Sequence, residues 1–191
     1  SRQSRGLGDV YKRQGLASAL AAAKNGARVI LAEDKAHFGG SLLNDEVTIG
    51  NMSGREWASD VISQLKNLPN VTVKNRSQVF GYYDHNMTVM FERVSDHIEN
   101  PNQYTPRQRL HYIRAGEVIV STGSIERPIS FGNNDRPGIL LASAANEYMK
   151  VYETLVGKKP IIFTNNDTAY SAAIEFLKND ITPIILDLSL I

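Results

Sequence analysis

The stretch that decides the fold reads GLASALAAAKNGARVILAED and covers residues 15–34. Its first part, residues 15–26, predicts a helix that ends at Gly26, a residue suited to a C-terminal cap. The apolar positions of this helix share one stripe: Leu16, Ala19, Leu20 and Ala23. The apolar run at residues 29–32 predicts a strand that is buried on both faces. We expect the helix and the second strand of a βαβ unit whose first strand is missing.

Such a unit is typical of dinucleotide-binding folds. There a G-x-G-x-x-G turn joins the first strand to the helix, and an acidic residue about 20 positions later binds the ribose hydroxyls. Gly15 matches only the last of the three glycines. Glu33 follows the second strand, where a carboxylate accepts ribose hydroxyls and repels a 2′-phosphate, which favours NAD or FAD over NADP. The alternative interpretation of Glu33 is a solvated charge at the end of a strand.

A glycine pair follows shortly after Glu33, in the segment FGGSLL at residues 38–43. Gly39 and Gly40 lack a Cβ atom, so the backbone can approach a cofactor closely. The hydroxyl of Ser41 can donate a hydrogen bond to a diphosphate or a ribose. The alternative is an ordinary Gly-Gly turn.

The chain opens differently, with SRQSRGLGDVYKRQ at residues 1–14. This stretch has neither an apolar strand nor the apolar core of a signal peptide. We expect a non-native or disordered tail that replaces the true start of the protein. A basic arm for nucleic acid is the alternative interpretation.

Composition excludes several classes of protein. The 191 residues contain no cysteine and carry a net charge of +1, so a disulfide framework and a cysteine-ligated metal are excluded. The near-neutral charge is not typical of a nucleic-acid-binding protein. No apolar run approaches the roughly 20 residues of a membrane helix, and we expect a cytoplasmic protein. The histidines lack metal-ligand spacing, so no metal site is predicted.

An amphipathic helix is predicted at residues 53–67, where Ser53 and Glu56 form a capping-box pattern. Its apolar residues fall on one face: Trp57, Val61, Ile62 and Leu65. The β-rich residues 70–75 follow this helix. We expect them to form a strand that returns to the parallel sheet.

The middle of the chain predicts a small antiparallel meander. Residues 77–94 read as two β runs around a polar turn, and residues 109–115 resume β character. Residues 117–123 predict a second buried strand of the main sheet. A Pro-Gly turn then starts residues 136–155, which continue as a helix.

The C-terminal region predicts a second strand–helix–strand unit. The strands are expected at residues 161–163 and 184–186, and the helix at residues 168–177. Four residues of that helix are expected to share one face: Tyr170, Ala173, Ile174 and Leu177. Asp187 follows the last strand as Glu33 follows the first unit's strand, but the turn at residues 164–167 has no glycine. Whether this unit holds a nucleotide stays open.

The predicted class is therefore α/β, with a Rossmann-like FAD/NAD(P)-binding fold that combines a parallel sheet and an antiparallel β-meander. We divide the chain into a tail (1–14), a FAD/NAD-binding domain that lacks its first strand (15–156), and the incomplete start of a second, inserted nucleotide-binding-like domain (157–191).

An ordered set of motifs resembles the α subunits of heterotetrameric sarcosine oxidases from residue 15 to the C terminus. The set is GLASALAAA, AED, FGGSLL, VFGYYDHN, PRQRLHYIRA, STGSIERP, NDRPGILLA and FTNNDTAY. The segments FGYYDHN and FTNNDTAY are its distinctive parts. Subunits of opine oxidases and of cyanide-forming glycine oxidases are similar and remain alternatives.

This resemblance implies the middle piece of a longer α subunit whose dinucleotide domain holds NAD. It implies FAD on the β subunit, where sarcosine is oxidised to glycine, and FMN at the α/β interface, where oxygen is reduced to peroxide. It implies tetrahydrofolate as the acceptor of the one-carbon unit, and β, γ and δ subunits as partners. The enzyme class that the resemblance implies is a flavin-dependent amine oxidoreductase of the EC 1.5.3 type. The piece alone is expected to be inactive and to hold no catalytic residue.

The resemblance also implies the cofactor-binding positions. Gly15 matches the last fingerprint glycine, Glu33 the ribose ligand, and Val79 a position whose backbone faces the adenine. The remaining positions are two that line the adenosine and three in the glycine turn: Asp34, Lys35, Gly39, Gly40 and Ser41. Arg13 and Gln14 stand where the family has small residues against the diphosphate, and an arginine prevents the same close backbone approach.

Two other classes remain as alternatives. A stand-alone flavoprotein of the disulfide-reductase type commonly uses a redox cysteine pair, and this chain has no cysteine. A non-catalytic scaffold with a vestigial dinucleotide site is favoured by the glycine-free turn at residues 164–167.

Overall fold

The computed structural model describes residues 8–44 and 47–188 of the chain. Helices alternate with short strands, and three segments form single 3-10 turns. In chain order the helices and strands are α1 (Gly8–Lys24), β1 (Val29–Ala32), β2 (Thr48–Ile49), β3 (Met52–Ser53), α2 (Gly54–Lys66), β4 (Val71–Lys74), β5 (Ser77–Tyr83), β6 (Met87–Arg93), β7 (Gln108–Arg114), α3 (Ala142–Val151), β8 (Ile161–Thr164), α4 (Tyr170–Lys178) and β9 (Ile184–Asp187).

The first helix is longer than the sequence predicts. It begins at Gly8 rather than at residue 15, so the expectation of a disordered tail is wrong for residues 8–14. Residues 1–7 lie outside the described residues, and the non-native origin of the tail stays a prediction. The predicted C-terminal cap is confirmed: Gly26 has a φ of 85°. The Gly26 and Ala27 amides bond the carbonyls of Ala23 and Ala22 at 3.0 and 3.1 Å, the Schellman pattern.

The parallel pair of the first unit forms as predicted. Strand β1 pairs with β4 in parallel, with Val29 opposite Val71. The crossover helix α2 starts at the predicted capping box, in which the Ser53 hydroxyl accepts from the Glu56 amide and the Glu56 carboxylate accepts from the Ser53 amide. This reciprocal bonding satisfies two amides that the first turn would otherwise leave without a partner.

The core of the first unit lies between α1, α2 and the 3-10 turn Gly40–Leu43. Its buried apolar side chains are Leu16, Ala19, Ala23, Leu42, Ala58, Val61 and Leu65. The predicted stripes of both helices supply this core, with Leu20, Trp57 and Ile62 packed around it as partly buried residues. Small alanines on α1 and α2 let the two helices approach closely.

Two expectations about the main sheet are wrong. Strand β1 is not buried on both faces, because Ile30 is 45% exposed. Residues 117–123 form no strand, and Ile119 and Val120 are 65% and 71% exposed. A strand needs a neighbour for its backbone N–H and C=O groups, and in the described part of the chain no strand pairs with this segment.

The antiparallel meander forms as predicted, with the strand order β5-β6-β7. Its first hairpin turns through a 3-10 turn at Asp84–Asn86, where His85 has a positive φ of 59°. Its register shifts between Val79 and Gly81, so β5 carries a bulge at Phe80. Bulges of this kind bend a strand and re-aim the neighbouring side chains.

The helix predicted at residues 136–155 is shorter in the structure. Gly138 has a φ of 94°, which keeps the chain out of the helical region before Ala142. There the Glu126 carboxylate accepts hydrogen bonds from the Ala142 and Ser143 amides at 3.2 and 2.8 Å and so caps α3. The helix ends at Val151, before Glu153 with its φ of 50°.

The second unit pairs β8 with β9 in parallel, with Ile161 opposite Ile184, as expected. Of the four residues expected to share one face of its helix, only Ala173 is buried, and Ile174 and Leu177 are about half exposed. The buried face of α4 consists of Ala172, Ala173 and Phe176.

Candidate functional site

The candidate site lies at the carboxyl end of β1. The Glu33 amide donates to the Lys74 carbonyl at 2.9 Å, and the Ser77 amide donates to the Glu33 carbonyl at 2.8 Å. Glu33 is therefore held between the end of β4 and the start of β5. Carboxyl ends of parallel strands are the usual ligand edge of open α/β sheets.

The side chain of Glu33 is also positioned. Its Oε1 accepts a hydrogen bond from the Lys35 amide at 3.2 Å. A carboxylate offers about four lone-pair positions, so it accepts more than one hydrogen bond at a time. The next residues continue the edge, because the Arg76 amide donates to the Lys35 carbonyl at 2.9 Å.

The glycine turn passes beside the core of the first unit. Gly39 and Gly40 have positive φ values of 120° and 53°. A Cβ atom on Gly39 would lie 3.1 Å from Leu43 Cδ2 and 3.2 Å from Ala58 Cβ, so the positive φ and the close packing both favour glycine there. The Ser41 hydroxyl is buried without a hydrogen-bond partner in the described part of the chain. Asn44 Oδ1 and Asn146 Oδ1 share this property, and a buried polar atom of this kind calls for an explanation such as a bound water, ion or ligand.

A cavity of about 270 Å³ adjoins this edge. Three of the predicted residues line it, namely Asp34, Lys35 and Gly40. Its other walls contain polar and charged side chains that sequence reasoning missed: Arg76, Arg93, Glu147 and Tyr152. They come from β6, α3 and the loops beside β5 and α3, so no local sequence pattern brings them together.

Two contacts tie the cavity walls to each other. The Lys35 ammonium lies 2.6 Å from a carboxylate oxygen of Glu147. This contact joins the segment that follows β1 to α3. The Arg93 guanidinium donates to the Asp34 carbonyl at 2.8 Å, which joins the loop to the meander. Both contacts restrict movement of the predicted adenosine-lining residues.

The structure does not bring every predicted residue to this cavity. Val79 is 48% exposed on β5 and, like Glu33, Gly39 and Ser41, is not part of the cavity wall. Gly15 lies within α1, where a Cβ atom would be 2.9 Å from Ser121 Cβ. Its visible role is therefore close packing of α1 against residues 117–123.

The buried carboxylate of Glu92 lies next to the Glu33 edge of the sheet. Glu92 on β6 is 9% exposed and lies 2.8 Å from the Lys74 ammonium and 2.7 Å from His111 Nε2. Burial acts to raise the pKa of Glu92, but the hydrogen bonds and charges of Lys74 and His111 outweigh it and hold the pKa below its ordinary value. This contact clamps β4 to the meander next to Glu33.

The matching edge of the second unit is closed by its own side chains. The Tyr170 hydroxyl donates to Asp187 Oδ2 at 2.9 Å, and this hydrogen bond raises the pKa of Tyr170 above its ordinary value. In the turn, Asn166 Oδ1 accepts from the Thr168 amide at 2.9 Å and from the Thr168 hydroxyl. The turn amide of Asn166 bonds the Thr164 hydroxyl at 3.2 Å.

Residues 8–44 and 47–188, which the structure describes, offer neither a metal centre nor a membrane span. No group of three or more His, Asp or Glu side chains among them is placed to hold a metal ion. None of their helices has the length and apolar character that crossing a membrane requires.

Three known proteins that are similar to the chain in sequence share one name. No family model matches it. "Sarcosine oxidase subunit alpha" of Rhizobium meliloti (strain 1021) is 44% identical over 161 residues, which are 84% of this chain and 16% of that protein. The proteins of the same name from Corynebacterium sp. strains P-1 and U-96 are 38% and 36% identical over 158 residues, 82% of this chain and 16% of each protein. The chain therefore spans about a sixth of the length of these relatives.

A solved structure with the same fold is the crystal structure of L-proline dehydrogenase from P. horikoshii. It superposes with a TM-score of 0.71 at 22% identity, covering 95% of this chain and 34% of that chain. At that identity the likeness concerns the fold alone. It confirms the predicted Rossmann-like α/β architecture with parallel pairs and an antiparallel meander.

Proposed function

Since the chain belongs, over its matched residues, to the family of sarcosine oxidase α subunits, we propose that it forms the NAD-binding region of the α subunit of a flavin-dependent amine oxidoreductase. In the proposed cytoplasmic assembly with β, γ and δ subunits, sarcosine is oxidised to glycine on a flavin outside this chain. Oxygen is reduced to peroxide, and the one-carbon unit passes to tetrahydrofolate. This chain's own contribution is binding, since none of its described residues is proposed to be catalytic.

The observation that carries the proposal is the position of Glu33. Its backbone is pinned at the carboxyl end of β1 and its carboxylate is oriented by the Lys35 amide. A carboxylate held at this edge suits the two hydroxyls of an adenosine ribose. The buried Ser41 hydroxyl, which lacks a partner among the described residues, and the cavity beside Asp34 and Lys35 support the same assignment.

The residues fit the adenosine half of NAD and do not fit its diphosphate half. In a dinucleotide fold the diphosphate sits at the first turn of the helix that the last fingerprint glycine opens. Here seven residues of α1 precede Gly15, which moves the helix start by about 10 Å. We therefore assign only the adenosine end of the cofactor to this chain, through Glu33, Asp34 and Lys35.

Calorimetric titration of the full chain with AMP and with NAD tests this assignment. We expect saturable binding of AMP, and NAD binding that is no tighter than AMP binding because the diphosphate adds no contact. Glu33→Gln removes charge-assisted hydrogen bonds to the ribose, which lowers the affinity for AMP by about 10-fold or more. The matched control is Glu99→Gln, which changes an exposed carboxylate and leaves the affinity unchanged.

Equal AMP affinities of the Glu33 and Glu99 variants would contradict the assignment. Absence of saturable binding by the unmodified chain would favour the non-catalytic scaffold. The proposed reaction needs a separate test, in which the whole α subunit is purified with its partner subunits and peroxide is measured with sarcosine, an opine and glycine. Peroxide with sarcosine alone supports the proposed substrate, and peroxide only with an opine or glycine assigns the chain to one of the related oxidases.

A further inference from the structure

The parallel pair of β8 and β9 has an apolar face that lies open to solvent. Pairing sets Ile161 opposite Ile184 and Phe163 opposite Leu186, so these four side chains lie on one face of the sheet. They are 37–64% exposed. Together they form one contiguous apolar surface, which we call the β8–β9 face.

Helix α4 covers the opposite face of the same pair. Ile162, the residue between the two exposed positions of β8, is 8% exposed and belongs to one core cluster with Ala173 and Phe176 of α4. Side chains of a strand alternate between its two faces, so Ile161 and Phe163 lie on the side away from α4. In the part of the chain that the structure describes, this sheet is therefore packed on one side only.

The sequence of both strands is typical of burial on both faces. Residues 161–163 read Ile-Ile-Phe, and residues 184–186 read Ile-Ile-Leu. Such continuous apolar runs are typical of parallel strands with helices packed on both sides, whereas a strand with one solvated face alternates apolar and polar residues. We therefore expect the β8–β9 face to be covered in the assembled protein.

One corner of the face has a partner within the chain. The ring of Phe131 meets that of Phe163 edge to face, with the ring centroids 6.0 Å apart. The other three side chains, Ile161, Ile184 and Leu186, are 52–64% exposed. Residues two apart in a strand are separated by about 6.6 Å, and residues four apart in a helix by about 6 Å. Two turns of a helix therefore span the open part of the face.

We propose that the β8–β9 face is the docking surface for an amphipathic helix of the same α subunit, from the part of that subunit outside this chain. The proposal rests on the placement of the chain in an α subunit and not on NAD binding. A helix is favoured because the crossovers between parallel strands place helices on the faces of a sheet.

The length of the relatives favours this occupant over a second copy of the chain. The matched residues make up only 16% of the Rhizobium meliloti relative, so a subunit of that length has ample chain to supply a helix. A stable interface between two copies buries about 800 Å² on each partner. Four partly exposed side chains offer far less area than that.

Thiol labelling tests whether the face is covered, because the chain has no cysteine of its own. Leu186→Cys is introduced into this chain and into the whole α subunit, and labelling is followed by mass spectrometry of the peptide that contains it. We expect labelling to be about 10-fold slower or more in the whole subunit, because a thiol under a packed helix reacts only when the contact opens. Ile161→Cys gives the same result if Leu186→Cys fails to fold.

The matched control is Thr105→Cys, in an exposed loop. Its labelling rate stays within about 2-fold between the chain and the whole subunit, because its access to the reagent does not change. Equal labelling rates of Leu186→Cys in the two proteins would overturn the proposal. A Thr105→Cys rate that falls as far as the Leu186→Cys rate would also overturn it, since the slower labelling would not be specific to the β8–β9 face.

Photo-crosslinking identifies the occupant. Benzoylphenylalanine replaces Leu186 in the whole α subunit assembled with its partner subunits, and the crosslinked residues are identified by mass spectrometry. We expect them within one segment of the same α subunit, at apolar positions three or four residues apart, as the stripe of an amphipathic helix requires. Crosslinks to another subunit, to a second copy, or at alternate residues of a strand would overturn the proposal. None of these results depends on the AMP titration, which tests the NAD site alone.

Discussion

The two strand–helix–strand units carry an acidic residue at the same place and use it differently. In the first unit, Glu33 ends β1 beside a glycine turn whose Ser41 hydroxyl is buried without a partner among the described residues. In the second unit, Asp187 ends β9 and accepts the Tyr170 hydroxyl, while the turn at residues 164–168 bonds itself. We propose a ligand at the first edge, whereas the second edge is bonded by its own chain.

The difference teaches that topology alone does not make a nucleotide site. Both units place parallel strands side by side with a helix between them. What separates them is the hydroxyl group in the turn, because Ser41 has no hydrogen-bond partner among the described residues, whereas the hydroxyls of Thr164 and Thr168 are bonded within their own turn. The second unit therefore contributes to the fold and to the protein surface, and we expect that no nucleotide binds at its Asp187 edge.

The largest expected effect comes from breaking the core of the first unit. Leu65 is 0% exposed, so Leu65→Ala removes buried methyl groups and leaves a cavity, lowering the free energy of unfolding by about 2–5 kcal/mol. Leu177→Ala in the second unit truncates a side chain that is 53% exposed and costs less than about 1 kcal/mol. Urea unfolding measures both. Similar losses would show that the two helices are packed alike, contrary to the structure.

The Glu92 contact predicts a pH dependence that belongs to the first unit. Because the folded-state pKa of Glu92 is lowered, its stabilisation is complete above the unfolded pKa of about 4.3 and is lost as pH falls through the folded value. At pH 7, Glu92→Gln lowers the free energy of unfolding by about 1–3 kcal/mol. The gap between variant and unmodified chain closes toward pH 3. Urea midpoints at both pH values measure it, and a gap that stays constant with pH would show that the charge of Glu92 is not its cause.

Much of this architecture is readable from local patterns. The α2 capping box, the strand pair β1 and β4, and the meander all follow from periodicity and turn residues within short windows. The features that the sequence did not predict depend on contacts between residues that are far apart in the chain. Glu126 sets the start of α3 from 16 residues away, and Arg93 and Glu147 reach the cavity from separate elements. Residues 117–123 have strand composition, but composition does not supply the neighbouring strand that pairing requires.

The same limit applies to the candidate site. The strand-end position of Glu33 could be predicted because a carboxylate after an apolar run is visible in the sequence. The hydrogen bond at the second edge could not be predicted, since the contact between Tyr170 and Asp187 depends on how the start of α4 faces the end of β9. The face of α4 that is buried has the same origin, because tertiary packing selects among residues of similar hydrophobicity.

A smaller effect on stability is expected at the glycine turn. Its measurement tests whether the conformation of this turn is set by the fold or only by a bound ligand. Gly39→Ala places a Cβ atom against Leu43 and Ala58 at a φ of 120°, so we expect a loss of about 1–2 kcal/mol without any ligand present. Gly116→Ala is the matched control, since no atom lies within 4 Å of its added Cβ. Thermal or urea unfolding of the ligand-free chain measures both. Equal stabilities would mean that packing does not require glycine at position 39.

The smallest effect concerns the closed edge itself. Tyr170→Phe removes the hydroxyl that bonds Asp187 and slightly lowers the free energy of unfolding at neutral pH. The pKa of Tyr170 is raised in the folded chain, so this stabilisation is present below the unfolded tyrosine pKa of about 10 and is lost as pH rises through the folded value. In absorbance titration of tyrosinate, the variant lacks the tyrosine whose pKa is raised by the bond to Asp187, and Tyr104→Phe, an 85% exposed tyrosine, keeps it. The variant should still bind no nucleotide at Asp187, because the turn there has no glycine and bonds itself. Saturable AMP binding gained by Tyr170→Phe, and retained when Glu33→Gln is added, would show that a single hydroxyl separates the two edges.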